Sequence, residues 1–242
     1  MDFRNSADAL GRRLLPSSSE NTDAPAPVSA AARYRQPENH WLTQLVASAD
    51  FYLRRWYGVR EFTARRTCIF RIAPGTAPHD LTLECGRRIR AGDPVIELHL
   101  WNEHFLRIPA EGPDLLWAKL MRKRFRDSLF DIALYIEDNP ETAGAVAIWA
   151  RDAVPLAKSG RKLARICECY GFEVLPAPER NPLERFVGWF VDFWIVFLVM
   201  AFNPRSLTAD LLFRPHYELW MPREVLLRRF GRYGADHARA SP

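Results

Sequence analysis

Gly92-Asp93-Pro94-Val95-Ile96-Glu97-Leu98-His99-Leu100-Trp101-Asn102 is the stretch on which the reading of the fold turns. Gly92, Asp93 and Pro94 are turn formers. From Val95 to Leu100 aliphatic residues recur at every second position, with Glu97 and His99 between them. Successive side chains on a strand point to opposite faces, so the pattern predicts a β-strand over 95–100. Val95, Glu97 and His99 share one face, and Ile96, Leu98 and Leu100 share the other. The second face is expected to pack inward. Asp93 sits in the turn before the strand, and Asn102, Glu103 and His104 follow in the loop after it.

A carboxylate beside an imidazole orients the ring and raises its pKa, which suits a general base. Asp93, Glu97, His99 and Asn102 are therefore the candidate site residues. In an enzyme His99 would be the base and Glu97 its orienting partner, with Asp93 and Asn102 positioning substrate. On a solvated sheet face the same side chains would only bond their neighbours. The residues leave both readings open, and with them whether the chain is an enzyme. No metal site is expected, because His99 and His104 lack a recognised ligand spacing and Cys68, Cys85, Cys167 and Cys169 contain no C-x-x-C pair. No phosphate-binding glycine loop, nucleophile elbow or H-E-x-x-H motif is present, so no cofactor is expected.

Around this strand the period changes. Thr67–Ile72 and Leu81–Leu83 read as strands with Pro74-Gly75 between them. Short strands joined by short turns suggest antiparallel pairing. Trp41–Trp56 reads as an amphipathic helix ended by Gly58, and Leu115–Tyr135 as another. Pro140 is placed to open a helix that runs through Ile148 and Trp149. Arg161–Tyr170 reads as a helix that stops at Gly171, and Phe172–Leu175 as a return to the sheet. The expected fold class is α+β, a small, mostly antiparallel sheet packed with several helices. Residues 1–38 are rich in Ser, Pro and Ala and are expected to form an unfolded tail, with 39–242 as a single domain.

One strongly apolar helix is expected near the C-terminus, over about 183–203, and Asp192 is the only charge between Phe186 and Phe202. Trp189, Phe190, Phe193, Trp194 and Phe197 fall on one aromatic stripe, with Arg185 and Arg205 flanking the segment. These are the candidate membrane contacts. A helix apolar on every side is buried in a core or in lipid. Phe186–Phe202 is shorter than the about 20 residues a full span needs, and Asp192 is costly in lipid. A covered core helix, a helix in one leaflet and a span all remain open.

The chain carries 34 Lys and Arg against 29 Asp and Glu, a formal charge of +5 and a pI near 9.2. That balance admits an anionic membrane surface. It also admits nucleic acid, but no nucleic-acid module accompanies it, so that partner rests on charge alone. Residues 1–16 contain no secretory apolar core. The expected location is the cytoplasm, peripheral on the inner face of the cytoplasmic membrane, with free thiols. Nothing in the sequence sets the oligomeric state.

Gly86, Ile89 and the Gly92–Asn102 run together resemble the YkoP-like domain family. Gly171-Phe172-Glu173-Val174 resembles that family's helix-to-strand step, and Glu218-Leu219-Trp220-Met221 with Leu226, Leu227 and Arg229 resembles its late segment. The resemblance spans about Trp41 to Gly231. Such domains stand alone in bacteria or are attached to some polysaccharide deacetylases. The resemblance therefore implies a setting in cell-envelope glycan or lipid metabolism, with envelope-assembly enzymes as partners. It implies no catalytic residue, and the deacetylase metal motif is absent from this chain. The expected function is an accessory or binding protein at the membrane surface. The alternative is a hydrolase or transferase using Glu97 and His99.

Overall fold

Pro94–Leu100 is a strand with Ile96 and Leu98 buried on its apolar face, and Val95 is buried as well on the face of Glu97 and His99. The computed structural model describes residues 48, 51–52, 54–109, 111–151, 160–178, 198 and 217–232. Contacts divide the chain into Met1–Arg33 and Tyr34–Pro242, and every described residue belongs to the second unit.

The strands are β1 (Phe70–Thr76), β2 (Leu81–Thr82), β3 (Arg88–Ile89), β4 (Pro94–Leu100), β5 (Ala147–Arg151), β6 (Glu173–Pro176) and β7 (Tyr217–Pro222). The helices whose ends fall among the described residues are α1 (Leu115–Asp138), α2 (Gly160–Tyr170) and α3 (Arg223–Phe230). Five strands form the main sheet in the order β1-β4-β5-β7-β6, and β2 and β3 form a separate hairpin. β1 and β4, β5 and β7, and β6 and β7 pair antiparallel, while β4 and β5 are parallel. A parallel pair needs a long crossover, and the chain between β4 and β5 supplies α1.

The local chemistry explains the elements. Asp114 caps α1 by accepting from the Trp117 backbone N–H at 2.6 Å, which satisfies one of the free donors at a helix start. Leu129, Ile132, Ala133 and Ile136 then face the sheet. α2 ends where Gly171 adopts φ +99, a left-handed conformation open to glycine at little cost. Phe172 N–H donates back to the Cys167 carbonyl and directs the chain into β6.

Two cores result. On one face of the sheet Ile72, Ile96, Leu98 and Ile148 pack with Leu129 and Ile132 of α1 and with Leu226 and Phe230 of α3. On the other, Val95, Ala147, Trp149 and Trp220 are covered by Ala77, Leu83 and Ile89 from the hairpin region.

The protein is thus a mixed α+β fold. The expected helix from Pro140 through Trp149 is corrected: only Pro140–Thr142 turns helically, as a single 3-10 turn, and Ala147–Arg151 is the middle strand of the sheet. Its first four residues are all buried. A strand buried on both faces loses its polar alternation and resembles a buried helix. The strand read over Thr67–Ile72 begins only at Phe70 and runs on through Pro74-Gly75 to Thr76, and α1 continues past Tyr135 to Asp138. Within the expected Trp41–Trp56 helix, residues 48, 51, 52 and 54–56 are described and helical. The expected tail over 1–38 lies outside the described residues. So does the apolar segment 183–203, with Arg185, Trp189, Phe190, Phe193, Trp194 and Phe197, as does Arg205. Leu198 alone is described there, and it is helical. Among the described residues no helix is long and apolar enough to cross a membrane.

Cys68 and Cys167 are buried, Cys85 and Cys169 are exposed, and all four are free thiols. Burial raises the pKa of Cys68 and pushes that of Cys167 up to about 12. Only the thiolate reacts. Iodoacetamide near neutral pH is therefore expected to label Cys85 and Cys169 in the native protein, and all four cysteines after denaturation. Mass mapping reads the result, and native labelling of Cys167 would contradict the packing of α2.

Candidate functional site: the polar face of the sheet

The cross-strand register places Arg71 opposite His99, Ala73 opposite Glu97 and Gly75 opposite Val95. Residues directly opposite share a face, so Arg71 joins Glu97 and His99. On the other side of β4, Glu97 pairs with Trp149 of β5. Trp149 pairs in turn with Trp220, and Arg151 with Glu218, on β7. One face of four strands therefore carries Arg71, Glu97, His99, Trp149, Arg151, Glu218 and Trp220.

Glu97 and His99 meet as the sequence suggested. His99 Nε2 lies 3.4 Å from Glu97 Oε2, with the two side chains 37% and 32% exposed. That nitrogen makes no hydrogen bond to any protein group. A carboxylate–imidazole contact this exposed adds at most about 1 kcal/mol to stability. Glu97 lies across the neighbouring strand: a Cβ on Gly75 would stand 2.7 Å from Glu97 Cγ and 2.8 Å from its Oε1. Gly75→Ala is expected to push the carboxylate off its seat at a cost of about 1–3 kcal/mol. Urea melts measure the cost, and the His99 ring resonances report the displaced carboxylate. Unchanged ring shifts would mean that Glu97 does not contact His99.

Asp93 and Asn102 do not join this pair. Asp93 is six residues before His99, about 20 Å along an extended strand. Its Oδ2 accepts from the Arg90 backbone N–H at 2.8 Å, which closes the turn before β4. Asn102 begins a 3-10 turn, Asn102–His104, beyond the other end of the strand.

Arg71 is 3% exposed and meets Glu61 and Glu103, each at 3.2 Å. Its guanidinium lies 4.6 Å from the Trp101 ring centre. Trp101 stacks on His104 at 3.7 Å, and His104 Nδ1 bonds the Cys68 carbonyl at 2.7 Å. Burial lowers the His104 pKa below the usual imidazole value. That histidine is thus fixed by stacking and by the backbone, while His99 Nε2 meets Glu97 without a hydrogen bond.

A second carboxylate–imidazole pair occupies the same face. Glu218 is 1% exposed and stands 3.5 Å from His79 Nε2. Its Oε2 accepts from Trp220 Nε1 at 3.0 Å, whereas Oε1 bonds no protein group. Trp149 stacks with Trp220 at 5.5 Å and lies beneath the Arg151 guanidinium at 5.0 Å. Trp149 Nε1 and His79 Nδ1 are likewise buried without a protein partner. Each such atom costs roughly 1–3 kcal/mol when it stays unpaired. Among the described residues no three His, Cys, Asp or Glu come together as metal ligands.

Reading from β4 alone missed His79, Trp149, Arg151 and Glu218. Period-two counting along β1 would have found Arg71, since Arg71, Ala73 and Gly75 alternate with Ile72 and Pro74. Trp149 and Arg151 were hidden by the helical reading of β5. No local signal links His79 to Glu218.

No curated protein and no solved structure matches the chain. The model of the YkoP domain matches residues 40–230. That match covers the sheet, its hairpin and the helices described above, so the chain belongs to the YkoP domain family.

Proposed function

We propose that the domain is an accessory or binding protein at the cytoplasmic membrane surface, serving cell-envelope glycan or lipid assembly. Its ligand is a polar, hydroxyl-bearing molecule taken on the polar face of the sheet. One observation carries the ligand reading. His99 Nε2, Trp149 Nε1 and Glu218 Oε1 are buried polar atoms that make no hydrogen bond within the protein, and they lie on one face of three strands. They mix donors and acceptors, and a hydroxyl group is both. A sugar supplies several hydroxyls at once. The basic balance of the chain and the setting implied by the family support the membrane part of the reading, as does the apolar stretch over 183–203.

Saturation-transfer NMR on the full-length protein tests the ligand, with N-acetylglucosamine and its short oligomers as probes. Transfer is expected in the wild type and should be lost in His99→Ala and Glu218→Gln. Absence of transfer from every probe, or transfer untouched by both substitutions, defeats the reading.

The 3.4 Å approach of Glu97 and His99 supports a second reading, an enzyme with His99 as base and Glu97 orienting it. That reading requires His99→Ala and Glu97→Gln to abolish a cellular phenotype while the purified variants still bind the probe. An intact phenotype removes it.

A further inference from the structure

We infer that the N-terminal half of α1, residues 115–126, is the surface by which the protein lies on an anionic membrane. The inference rests on the membrane-surface reading above and gives it a definite place on the fold.

The sequence of this half-helix is Leu-Leu-Trp-Ala-Lys-Leu-Met-Arg-Lys-Arg-Phe-Arg, with five cations and no acid. The buried residues of α1 begin only at Ser128. Before that point one side of the helix touches the body of the protein. Met121 and Phe125 pack against the core, Trp117 Nε1 donates to the Leu106 carbonyl at 3.3 Å, and Arg124 donates to the His104 carbonyl. The opposite side is open. Leu115, Lys119, Arg122 and Arg126 follow one another at spacings of four, three and four, which places them along a single helical face. All four are exposed, as are Leu116 and Lys123 on its flank. Leu115 is 72% exposed and Leu116 38%.

The charge pattern points outward. Lys123 and Arg126 share one carboxylate, Asp127. Among the described residues no acid pairs with Lys119 or Arg122. Like charges three and four residues apart on a helix repel, so the stripe is a burden to the isolated fold. An anionic surface turns that burden into attraction. Two exposed leucines at the leading end supply apolar area that enters the head-group region, the arrangement of a helix lying flat on lipid. A free acidic protein would satisfy the cations but leave Leu115 and Leu116 without an apolar counterpart, so lipid is the better occupant.

Vesicle flotation with the full chain tests this. The probes are phosphatidylcholine vesicles and vesicles of phosphatidylcholine with one-quarter phosphatidylglycerol. Wild type is expected to float with the anionic vesicles and not with the neutral ones. Lys119→Glu/Arg122→Glu should lower that binding about tenfold or more. Arg87→Glu/Arg228→Glu changes net charge equally but lies on the groove between the hairpin and α3, and it should keep most of the binding. Melting curves confirm that each variant is folded, and Lys119→Gln/Arg122→Gln repeats the comparison if charge reversal disturbs α1. If wild type floats and the α1 variants float as well, the surface is elsewhere and only this inference falls. Equal losses in the two reversed pairs would make the effect one of net charge, with the same consequence. If wild type ignores both vesicle types, the membrane reading falls and takes this inference with it.

Discussion

Trp220→Ala is expected to destabilise the protein by about 3–5 kcal/mol, the range for removing a buried tryptophan. Trp220 is fully buried at the centre of the smaller core. It stacks on Trp149 and meets the edge of His79. Its Nε1–H is also the hydrogen bond to Glu218. Alanine therefore opens a cavity and at the same time strips a carboxylate that is 1% exposed of a donor. Domains of this kind have a total stability of about 5–15 kcal/mol, so the loss is a large share of it. Urea denaturation followed by circular dichroism measures it. Trp220→Phe should cost less, because a phenyl ring fills most of the space although the donor and part of the indole go. Equal losses in the two variants would mean that the cavity contributes nothing, which the packing forbids.

Arg71→Met ranks next, at about 2–3 kcal/mol. Removing one partner of a fully buried ion pair costs about 3–5 kcal/mol. Here the arginine is 3% exposed, but Glu61 and Glu103 keep 47% and 29% of their side-chain surface. Water recovers part of their loss, which sets the lower figure. Glu61 also retains Arg54 at 2.8 Å, so Glu103 is the carboxylate left stranded. Adding Glu103→Gln to Arg71→Met should then restore about 1 kcal/mol, because the stranded charge is gone. If the double variant is no more stable than the single one, the stacking of Arg71 on Trp101 carries its contribution instead. Arg71→Lys tests that contact directly, since an ammonium lacks the flat face that stacks on an indole.

The legible parts of the fold were those with one wet side. β4 alternates because Glu97 and His99 face partly outward, and α2 stops where Gly171 permits a left-handed cap. β5 was not legible, because Ala147, Ile148, Trp149 and Ala150 are covered on both faces. For the same reason Val95 looked like a member of the polar face, yet it is 2% exposed beneath Leu83 and Ile89. The hairpin that covers it is two residues long on each side, too short for any periodic signal. The candidate site was half visible. Glu97 and His99 are neighbours along one strand, and period two is enough to bring them together. Glu218 and His79 meet only because β7 lies beside β5, a fact of topology rather than of local pattern.

The place of β7 also sets the order in which the molecule can be made. β6 leaves the ribosome before β7, yet among the described residues it pairs in the sheet only with β7, which lies between it and β5. Until Tyr217–Pro222 has emerged, β5 and β6 both lack the strand that joins them, and Glu218 and Trp220 are missing from the polar face. The nascent chain can assemble the ladder from β1 to β5, but the closing strand arrives last and enters between elements already synthesised. Folding of this domain is therefore completed only after nearly the whole of it has been translated, and a chain halted before Tyr217 would expose two unpaired strand edges to its neighbours.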